Sequence, residues 1–230
     1  MNLPQCEIQP TPSREILFIA GGRVPNSDWF KKVAQGRKIF AVDRGIELCR
    51  ALNILPEMLI GDFDSAESSA VDWALSKKIP VERHPVDKDL TDTQLALKFA
   101  EKNSAAIITG AFGGRLDHAF STIFTCAHFP AKIFLADKRE IIFYVKGGES
   151  FSVNFFQKPV ALSLLPMSEI CRGVTIKNVH WELENATLAQ NFPSAVSNRV
   201  ESPEVQISVG GGVLAFYCCF SEFFSRESSA

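Results

Sequence analysis

Two patterns of hydrophobic and polar residues divide the chain. From Ile16 to about Lys146, short apolar runs alternate with stretches in which apolar residues recur at helical spacing. The predicted strands are 16–20, 39–42, 58–60 and 105–108, and the predicted helices are 47–52, 66–77, 92–102 and 116–127. This alternation is typical of a mainly parallel sheet with helices on both faces, so we predict an α/β fold for this part.

Beyond Lys146 the pattern changes to short strand-like pieces joined by Gly, Pro, Asn and Ser. The predicted strands are 160–164, 174–179, 205–209 and 213–220. No long stretch of helical spacing remains, which indicates a small all-β domain, predicted as a sandwich. We therefore expect two domains, an α/β domain over 1–147 and a β-sandwich domain over 148–230.

The overall charge is close to balanced, with a formal net charge of -2 and scattered Lys and Arg residues. A nucleic-acid partner is therefore not expected, because a basic patch that would bind phosphates is missing. The longest apolar stretches, such as 213–220, are too short to span a bilayer, and the N-terminus does not read as a signal segment. The cysteines include no Cys-x-x-Cys pair, so reduced buried thiols are expected. We predict a soluble cytoplasmic protein without a membrane partner.

Two short acidic clusters follow predicted strands. Residues 61–65 read Gly-Asp-Phe-Asp-Ser, and residues 87–92 read Asp-Lys-Asp-Leu-Thr-Asp. Carboxylates crowded into two neighbouring loops repel one another unless a cation lies between them, which suggests a divalent cation with phosphate beyond it. Oxygen-only ligands suit Mg²⁺, and no His or Cys is spaced for a transition metal. Taken singly, each cluster is also compatible with a solvated turn or a charged surface loop.

Individual residues of these clusters have distinct expected roles. Asp62 and Asp64 can flank one ion, since they lie two residues apart in an extended segment. Residues 91–94, Thr-Asp-Thr-Gln, fit a capping box that starts a helix there. Asp92 then lies in the first helical turn, where the helix dipole favours an ionised carboxylate and hence a metal ligand. Lys88, between two aspartates, is either their neutralising partner or a phosphate contact.

A glycine-rich turn precedes the last predicted helix of the α/β domain. Residues 109–118 read Thr-Gly-Ala-Phe-Gly-Gly-Arg-Leu-Asp-His, and helical spacing places Arg115 and His118 on one face. Backbone N–H groups at a helix start and an arginine fork both bind phosphate, although the P-loop pattern Gly-x-x-x-x-Gly-Lys is absent. Residues 21–23 and Asp43 also follow predicted strands. All these motifs are therefore expected at the carboxyl edge of the sheet, where open α/β sheets bind ligands.

In order and spacing, these features closely resemble the thiamine pyrophosphokinase family. The matching features are Asp43 and the motifs at 61–65, 87–92 and 113–118, and the resemblance extends from Ile16 over nearly the whole chain. It implies that 1–147 binds nucleotide and magnesium and that 148–230 binds thiamine. The implied reaction transfers the terminal diphosphate of ATP to the hydroxyl group of thiamine, giving thiamine diphosphate and AMP. The resemblance also implies a homodimer with active sites at the subunit interface.

The resemblance implies roles for residues of the α/β domain. Asp62, Asp64 and Asp92 resemble the magnesium ligands, and Lys88 and Arg115 resemble catalytic phosphate contacts. The residues that resemble nucleotide or phosphate contacts are Asp43, Asp89, Thr91, Gly113, Gly114, Asp117 and His118. Arg44 departs from the family, because it stands where a small glycine commonly follows the aspartate.

The β domain carries the thiamine side of the resemblance. Trp181 resembles the residue that stacks on the thiamine pyrimidine, from the opposite subunit of the dimer. Ser197 and Asn198 resemble its polar neighbours. Residues 195–198, Ala-Val-Ser-Asn, replace a more hydroxyl-rich turn of the family.

Three other functions are compatible with parts of the sequence. In a haloacid-dehalogenase-like phosphatase, Asp62 would be the nucleophile of an Asp-x-Asp pair and Lys88 its lysine, but that fold has the pair after its first strand. A diphosphokinase for another alcohol, such as a hydroxymethyl pterin, fits the α/β domain equally well, and the β domain argues against it. A nucleotide-sensing binding protein would keep the fold without turnover, although binding alone requires fewer metal-directed carboxylates.

Overall fold

The computed structural model describes residues 1–12, 14–100 and 105–220. In chain order, its strands are β1 Cys6–Gln9, β2 Glu15–Ile19, β3 Lys38–Val42, β4 Met58–Gly61, β5 Val81–Arg83, β6 Ala105–Thr109, β7 Lys132–Ala136, β8 Glu140–Lys146, β9 Ser150–Phe155, β10 Ala161–Pro166, β11 Ile170–Lys177, β12 Leu183–Ala189, β13 Glu204–Ser208 and β14 Val213–Cys219. Its helices are α1 Ser27–Ala34, α2 Gly45–Ala51, α3 Ser68–Ser76, α4 Asp92–Ala96 and α5 Leu116–His128, with a 3-10 helix at Leu97–Phe99. The described residues form two compact units: Met1 with Thr11–Asp137, and Asn2–Pro10 with the residues from Lys138 onward.

The first unit contains a sheet in the order β7-β6-β2-β3-β4-β5, and each pair of neighbouring strands is parallel. β6 is buried along its whole length and reads Ala-Ala-Ile-Ile-Thr, as expected for a strand covered on both faces. From β2 the chain adds strands in one direction as far as β5, and then adds β6 and β7 in the other direction. The order therefore reverses between β2 and β6, and ligands of open α/β sheets bind at such a switch point.

Local sequence signals account for much of this unit. The predicted strands correspond to β2, β3, β4 and β6. The helix predicted over 92–102 is shorter, because α4 passes into the 3-10 helix, and 101–104 lie outside the described residues. Its predicted start is confirmed, since Thr91 is the N-cap of a capping box with Gln94. The Gln94 side chain also donates to Thr125 Oγ1 at 2.9 Å, which ties α4 to α5.

The division between the units lies earlier than the predicted domain boundary. The hydrophobic pattern places the boundary after residue 147, whereas the structure divides the chain between Asp137 and Lys138 and joins Asn2–Pro10 to the second unit. Strand pairing is the reason, because β8 pairs antiparallel with β14 and β1 pairs antiparallel with β9. The apolar run of β8 resembles the strands before it, so the local pattern does not reveal the change of pairing partner.

The second unit is rich in β structure, and its assigned elements within the described residues are all strands. One sheet has the order β1-β9-β13-β11-β12, and β10, β14 and β8 follow one another in a second group; the pairs within both are antiparallel. The Phe143 ring of β8 lies 5.4 Å from the Phe151 ring of β9, between centroids, so side chains of the two groups share a core. An α/β part followed by a β-rich part is therefore confirmed.

Two further observations concern the whole described chain. None of its helices within 1–12, 14–100 and 105–220 has the length and apolar character that a membrane crossing requires. The six cysteines are buried free thiols. Burial raises the pKa of both Cys6 and Cys49 to about 12, so these thiols stay protonated at neutral pH.

Candidate active site

A cavity of about 670 Å³ lies at the carboxyl edge of the sheet in the first unit. It is bordered by the turns after β2, β3, β4 and β6, by residues 86–93 and by the start of α5. The predicted site residues that line it are Asp43, Asp62, Asp64, Lys88, Asp89, Thr91, Asp92, Gly113, Gly114, Arg115 and His118. The fold thus brings carboxylates, cations and glycines that are far apart in sequence around one space.

The turns after β2 and β6 meet at the switch point and form one wall of the cavity. Gly22 N donates to Gly110 O at 2.8 Å, and Arg23 N donates to Phe112 O at 2.5 Å. A side chain on Gly22 would overlap the carbonyl oxygens of Gly110 and Phe112, so this close approach requires glycine. Arg23 also forms an ion pair with the buried Asp137 at 2.6 Å. These contacts hold the two turns in a defined arrangement.

Three carboxylates of the cavity converge. Among the described residues, one oxygen each of Asp43, Asp62 and Asp64 lies within 4.8 Å of the others. Asp64 N donates to Asp62 Oδ1 at 3.2 Å, and Ser65 Oγ donates to Asp43 Oδ2 at 2.5 Å. Asp43 and Phe63 have φ angles of 48° and 67°, which are uncommon for residues other than glycine. The left-handed Phe63 turns the chain between Asp62 and Asp64, and both aspartates line the cavity.

Burial and mutual repulsion raise the pKa of several of these carboxyl groups. The charge of Asp62, followed by burial, raises the pKa of Asp64. Burial raises the pKa of Asp43, supported by the charges of Asp92 and Asp62 and opposed by the hydrogen bond from Ser65. Burial, followed by the Asp62 charge, also raises the pKa of Asp92. A bound cation would favour the charged forms, so the cluster is arranged to attract positive charge.

Lys88 lies among the carboxylates. Its Nζ forms an ion pair with Asp62 and lies 3.3 Å from Asp92 Oδ1. Burial acts to raise the pKa of Asp62, but the contacts with Lys88 and with the Asp64 backbone outweigh it and lower that pKa. Burial likewise opposes the charge of Lys88, and its two carboxylate partners outweigh burial and raise its pKa. The ammonium group therefore supplies positive charge between two carboxylates.

The carboxylate cluster fits a hard divalent cation. Asp43 Oδ1 is buried and accepts no hydrogen bond, which is costly unless a cation or water contacts it, whereas the Lys88 ammonium group lies 3.3 Å from the buried Asp92 Oδ1. Carboxylate oxygens are the ligands that Mg²⁺ and Ca²⁺ prefer. Within the described residues, the tight group contains Asp43 in place of Asp92, and so differs from the predicted ligands Asp62, Asp64 and Asp92. Asp43 reaches this position because β3 and β4 are neighbours and Asp43 N donates to Ile60 O at 2.8 Å.

Arg115 and Asp117 pair with each other at the start of α5. Arg115 Nη2 lies 2.6 Å from Asp117 Oδ2, and Arg115 Nε lies 3.2 Å from Asp117 Oδ1. His118 N donates to Asp117 Oδ1 at 2.9 Å. The bond with Arg115 is the main reason that the pKa of Asp117 is lowered. Arg115 and His118 line the cavity, whereas Asp117, predicted as a nucleotide contact, lies outside its lining and is the partner of the guanidinium group.

Arg44 and Thr122 also line the cavity, although they are not among the predicted site residues. Arg44 Nε lies 3.5 Å from Glu47 Oε1, which also accepts a hydrogen bond from Glu67 N at 3.1 Å. The sequence signal for Arg44 is its position directly after Asp43 at the end of a strand. The signal for Thr122 is helical spacing, since it lies one turn after His118 on α5.

The predicted thiamine-side residues lie together in the second unit. Trp181 is 56% exposed, whereas Asn198 is buried. Asn198 Oδ1 accepts from Trp181 N at 3.0 Å, and Asn198 Nδ2 donates to Trp181 O at 2.8 Å. Ser197 has a φ angle of 59°, and its N donates to Ser163 Oγ at 3.0 Å. The fold therefore brings Trp181 and Asn198 into direct contact and anchors Ser197 beside them.

Two family descriptions match the chain. The description "Thiamin pyrophosphokinase, catalytic domain" matches residues 30–136, and "Thiamin pyrophosphokinase, vitamin B1 binding domain" matches residues 156–214. The first range contains Asp43, both acidic clusters and the glycine-rich turn. The second contains Trp181, Ser197 and Asn198.

Curated proteins of the same name are similar to the chain. It is 27% identical over 179 residues to the thiamine pyrophosphokinase of Bacillus subtilis, covering 75% of this chain and 83% of that protein. It is 26% identical over 166 residues to thiamine pyrophosphokinase 1 of Oryza sativa, covering 66% of this chain and 62% of that protein. The match therefore spans less than two thirds of the rice protein's length.

Solved structures share the fold. The crystal structure of thiamine pyrophosphokinase from Bacillus subtilis has a TM-score of 0.80 at 24% identity and covers 91% of this chain and 100% of that chain. The crystal structure of the yeast enzyme has a TM-score of 0.74 at 16% identity and covers 92% and 88%. At such identities, the likeness is evidence for the fold.

Proposed function

Because the chain belongs to the thiamine pyrophosphokinase family, we propose that it transfers the terminal diphosphate of ATP to the hydroxyl group of thiamine, giving thiamine diphosphate and AMP. The observation that supports this most directly is the cavity in which Asp43, Asp62 and Asp64 converge beside Lys88. This cavity lies at the switch point of the parallel sheet, where α/β folds bind nucleotides. The match of residues 156–214 to a vitamin B1 binding domain favours thiamine over another alcohol, such as a hydroxymethyl pterin.

We propose Mg²⁺ as the cofactor, with Asp62, Asp64 and Asp92 as its ligands and Asp43 beside them. The buried Asp43 Oδ1, which accepts no hydrogen bond, and the convergence of Asp43, Asp62 and Asp64 support a cation at this place. When bound, Mg²⁺ supplies neutralisation and alignment of the phosphate oxygens. Asp62 and Asp92 would then have a second cation as partner, which would leave the Lys88 ammonium group available to a phosphate oxygen.

The other cavity residues would bind and orient ATP. Arg44 and Arg115 offer guanidinium groups from exposed side chains, and Gly113 and Gly114 offer a close backbone approach at the start of α5. The thiamine hydroxyl oxygen would attack the β-phosphorus in line, form a new O–P bond and release its proton to solvent. The bond from that phosphorus to the oxygen it shares with the α-phosphate would break, and AMP would leave with this oxygen. Charge neutralisation and alignment suffice for such a reaction, so a protein nucleophile is not required.

The position of Asp62 argues against a haloacid-dehalogenase-like phosphatase. That fold carries its aspartate pair after the first strand, whereas Asp62 follows β4, with β2 and β3 of the same parallel sheet before it in the chain. A phosphatase would also form a phosphoryl-aspartate at Asp62. Trapping with a fluorophosphate analogue is therefore expected to leave Asp62 unmodified.

We further propose that the protein is cytoplasmic. We propose that it forms a homodimer with active sites at the subunit interface. We also propose that the sheets of its second unit form a β-sandwich. Exposed large apolar side chains, including Leu116 and Phe192, support a protein interface. Buried reduced thiols support a reducing compartment. The contact between Phe143 and Phe151 supports the sandwich. Light scattering should give twice the chain mass, and a monomer mass at all concentrations would contradict the dimer.

A product assay tests the proposed reaction. The purified protein is incubated with ATP and magnesium, with and without thiamine, and the products are identified by mass spectrometry. We expect AMP and thiamine diphosphate only when thiamine is present. ADP as the only nucleotide product, or AMP release that does not depend on thiamine, would contradict the proposal. The Asp72→Asn variant, with an exposed aspartate of α3 outside the cavity lining, serves as a control that should keep full activity.

A further inference from the structure

Asn198 holds the backbone of Trp181. Its side-chain oxygen accepts hydrogen bonds from Trp181 N and Arg199 N, at 3.0 Å and 2.8 Å, and its side-chain nitrogen donates to Trp181 O at 2.8 Å. Its backbone pairs in both directions with Leu162 of β10, at 2.9 Å and 2.7 Å. The predicted substrate-binding amide is therefore buried and engaged within the protein. Asn198 can affect a ligand by positioning Trp181.

The indole ring of Trp181 has two neighbours of its own. The Arg199 guanidinium carbon lies over the ring, 5.3 Å from its centre. The His180 ring meets the indole edge-on, with centroids 4.6 Å apart and planes at 83°. His180 Nδ1 is in turn 2.7 Å from Glu201 Oε1. The exposed ring is thus contacted by a guanidinium group that lies over it and by an imidazole whose plane is nearly perpendicular to it.

Backbone pairing supports this arrangement, which we call the Trp181 cluster: His180, Trp181, Asn198, Arg199 and Glu201. His180 N donates to Arg199 O at 2.9 Å, and Val179 and Val200 form an antiparallel bridge. Asn178 and Glu201 are joined by a further backbone bond, from Glu201 N to Asn178 O, at 3.1 Å. The two segments therefore face each other as a short ladder, which limits the freedom of both Trp181 and Arg199.

We propose that Arg199 and the His180–Glu201 pair are positioning residues that hold the Trp181 indole as a stacking surface with one available face. A planar, cationic or electron-poor ring would stack on the face opposite Arg199. This inference rests on the proposed function, in which thiamine is the ring that stacks on Trp181. Because the indole is held in place before binding, the entropic cost of binding is lower. Arg199 therefore strengthens binding without touching the substrate.

Arg199 could also act against binding, and the two roles predict opposite changes in substrate affinity when Arg199 is removed. If Arg199 occupied the stacking face itself, a cationic substrate would have to displace it, and removing Arg199 would strengthen binding. If Arg199 braces the ring, removing it weakens binding. Exposed cation–π contacts of about 0.5–1 kcal/mol correspond to a change of about two- to fivefold.

Steady-state kinetics tests whether Arg199 positions the Trp181 ring for substrate binding. Arg199→Ala should raise KM for thiamine about two- to fivefold, with kcat and KM for ATP unchanged, and Arg199→Lys, which keeps a cation, should recover part of the loss. Arg172→Ala, at an exposed arginine of β11 in the same unit, is the matched control and should behave as the unaltered protein. An unchanged or lower KM for thiamine in folded Arg199→Ala protein would overturn the inference.

Fluorescence quenching gives a second readout that does not depend on turnover. The neutral quencher acrylamide is applied to the substrate-free protein, and the signal of the Trp181→Phe variant is subtracted to isolate Trp181. Arg199→Ala and His180→Ala should each raise the quenching constant of Trp181, and equal constants would overturn the brace. If the unaltered protein forms no thiamine-dependent AMP, the proposed function fails, while equal quenching constants would still overturn the positioning role of Arg199 and His180. If turnover is normal and KM does not respond to Arg199→Ala, only the present inference fails.

Discussion

The cavity of the first unit and the Trp181 cluster of the second unit are built in opposite ways. The cavity gathers carboxylates with raised pKa values around one ammonium group, and the buried Asp43 Oδ1 in it lacks a hydrogen bond. The Trp181 cluster presents an exposed indole whose backbone, face and edge are each held by a neighbour. The cavity carries more carboxylate charge than its ammonium group balances, whereas the Trp181 ring is already held in place by its neighbours.

This difference separates two kinds of function. Crowded carboxylates are costly unless a cation compensates them, so the cavity is expected to control the chemical step and the need for metal. A held aromatic ring improves the binding of a planar ligand and adds little in the transition state that it does not add in the ground state, so the Trp181 cluster is expected to control KM. Variants in the two regions should therefore fail in different kinetic parameters.

The largest effect is expected from Asp62→Asn in the cavity. The change removes a proposed metal ligand and the closest charge partner of Lys88 while keeping the side-chain shape. We expect kcat to fall on the order of 10³-fold or more, with the fold retained. Single-turnover kinetics and circular dichroism check the two parts. Near-normal turnover by a folded variant would remove Asp62 from the ligand set, and Asp72→Asn controls for loss of an aspartate elsewhere.

The next effect separates Asp92 from Asp43. We expect Asp92→Asn to raise the magnesium concentration for half-maximal activity by about 10- to 100-fold, because it removes a proposed direct ligand. Asp43→Asn should raise it less, since the Ser65 hydrogen bond already engages one oxygen of Asp43. Magnesium titrations of both variants give the comparison. A larger effect from Asp43→Asn would put Asp43 in the ligand set in place of Asp92, in keeping with the tight carboxylate group.

Trp181→Ala tests the other side of the comparison. Loss of the indole should raise KM for thiamine about tenfold, from the loss of one aromatic stacking contact, with the magnesium requirement unchanged. Trp181→Phe keeps an aromatic face and should show a smaller change. An effect confined to kcat, with KM for thiamine unaltered, would mean that the Trp181 cluster does not act through substrate binding.

The smallest effect is expected on stability, from Lys88→Met. This change leaves Asp62 and Asp92 without their ammonium partner, which costs about 1–3 kcal/mol for a partly buried charge. The melting temperature in EDTA should fall by a few degrees, roughly 2–4 °C per kcal/mol, and magnesium should restore more of it than in the unaltered protein. Lys32→Met, at an exposed lysine of α1, is the matched control. Equal melting temperatures in EDTA for the unaltered protein and Lys88→Met would show that the ion pairs contribute nothing.

The sequence pattern predicts some of the buried strands, but it misses the buried strands β7 and β8 as well as weaker ones. β2, β3, β4 and β6 are continuous apolar runs, and Thr91 carries its own start signal in the capping box. β5 is short and only partly buried, so no periodic pattern announces it. β1 forms by pairing with β9, a partner far along the chain that no local window contains. The boundary between the units depends on the same kind of long-range pairing.

The candidate site divides in the same manner. The acidic clusters and the glycine-rich turn are short motifs, so spacing along the chain was enough to predict that they share an edge of the sheet. Arg44 has no motif of its own. Asp117 lies within a motif, but it is outside the cavity lining and pairs with Arg115, which lines the cavity. The bracing of Trp181 by Arg199 joins residues that look like ordinary turn residues in the sequence.

The sequence by itself determined which chemical groups this protein has available: strand-end carboxylates, a lysine between them, glycines and an arginine before a helix, and a tryptophan in a β-rich region. Only the tertiary structure decided which of them meet. Asp43 joins Asp62 and Asp64 because β3 and β4 pair side by side and Phe63 adopts a left-handed conformation. Arg199 covers Trp181 because two distant segments form a ladder. Such distances depend on pairing across the fold, and a local sequence pattern carries no information about that pairing.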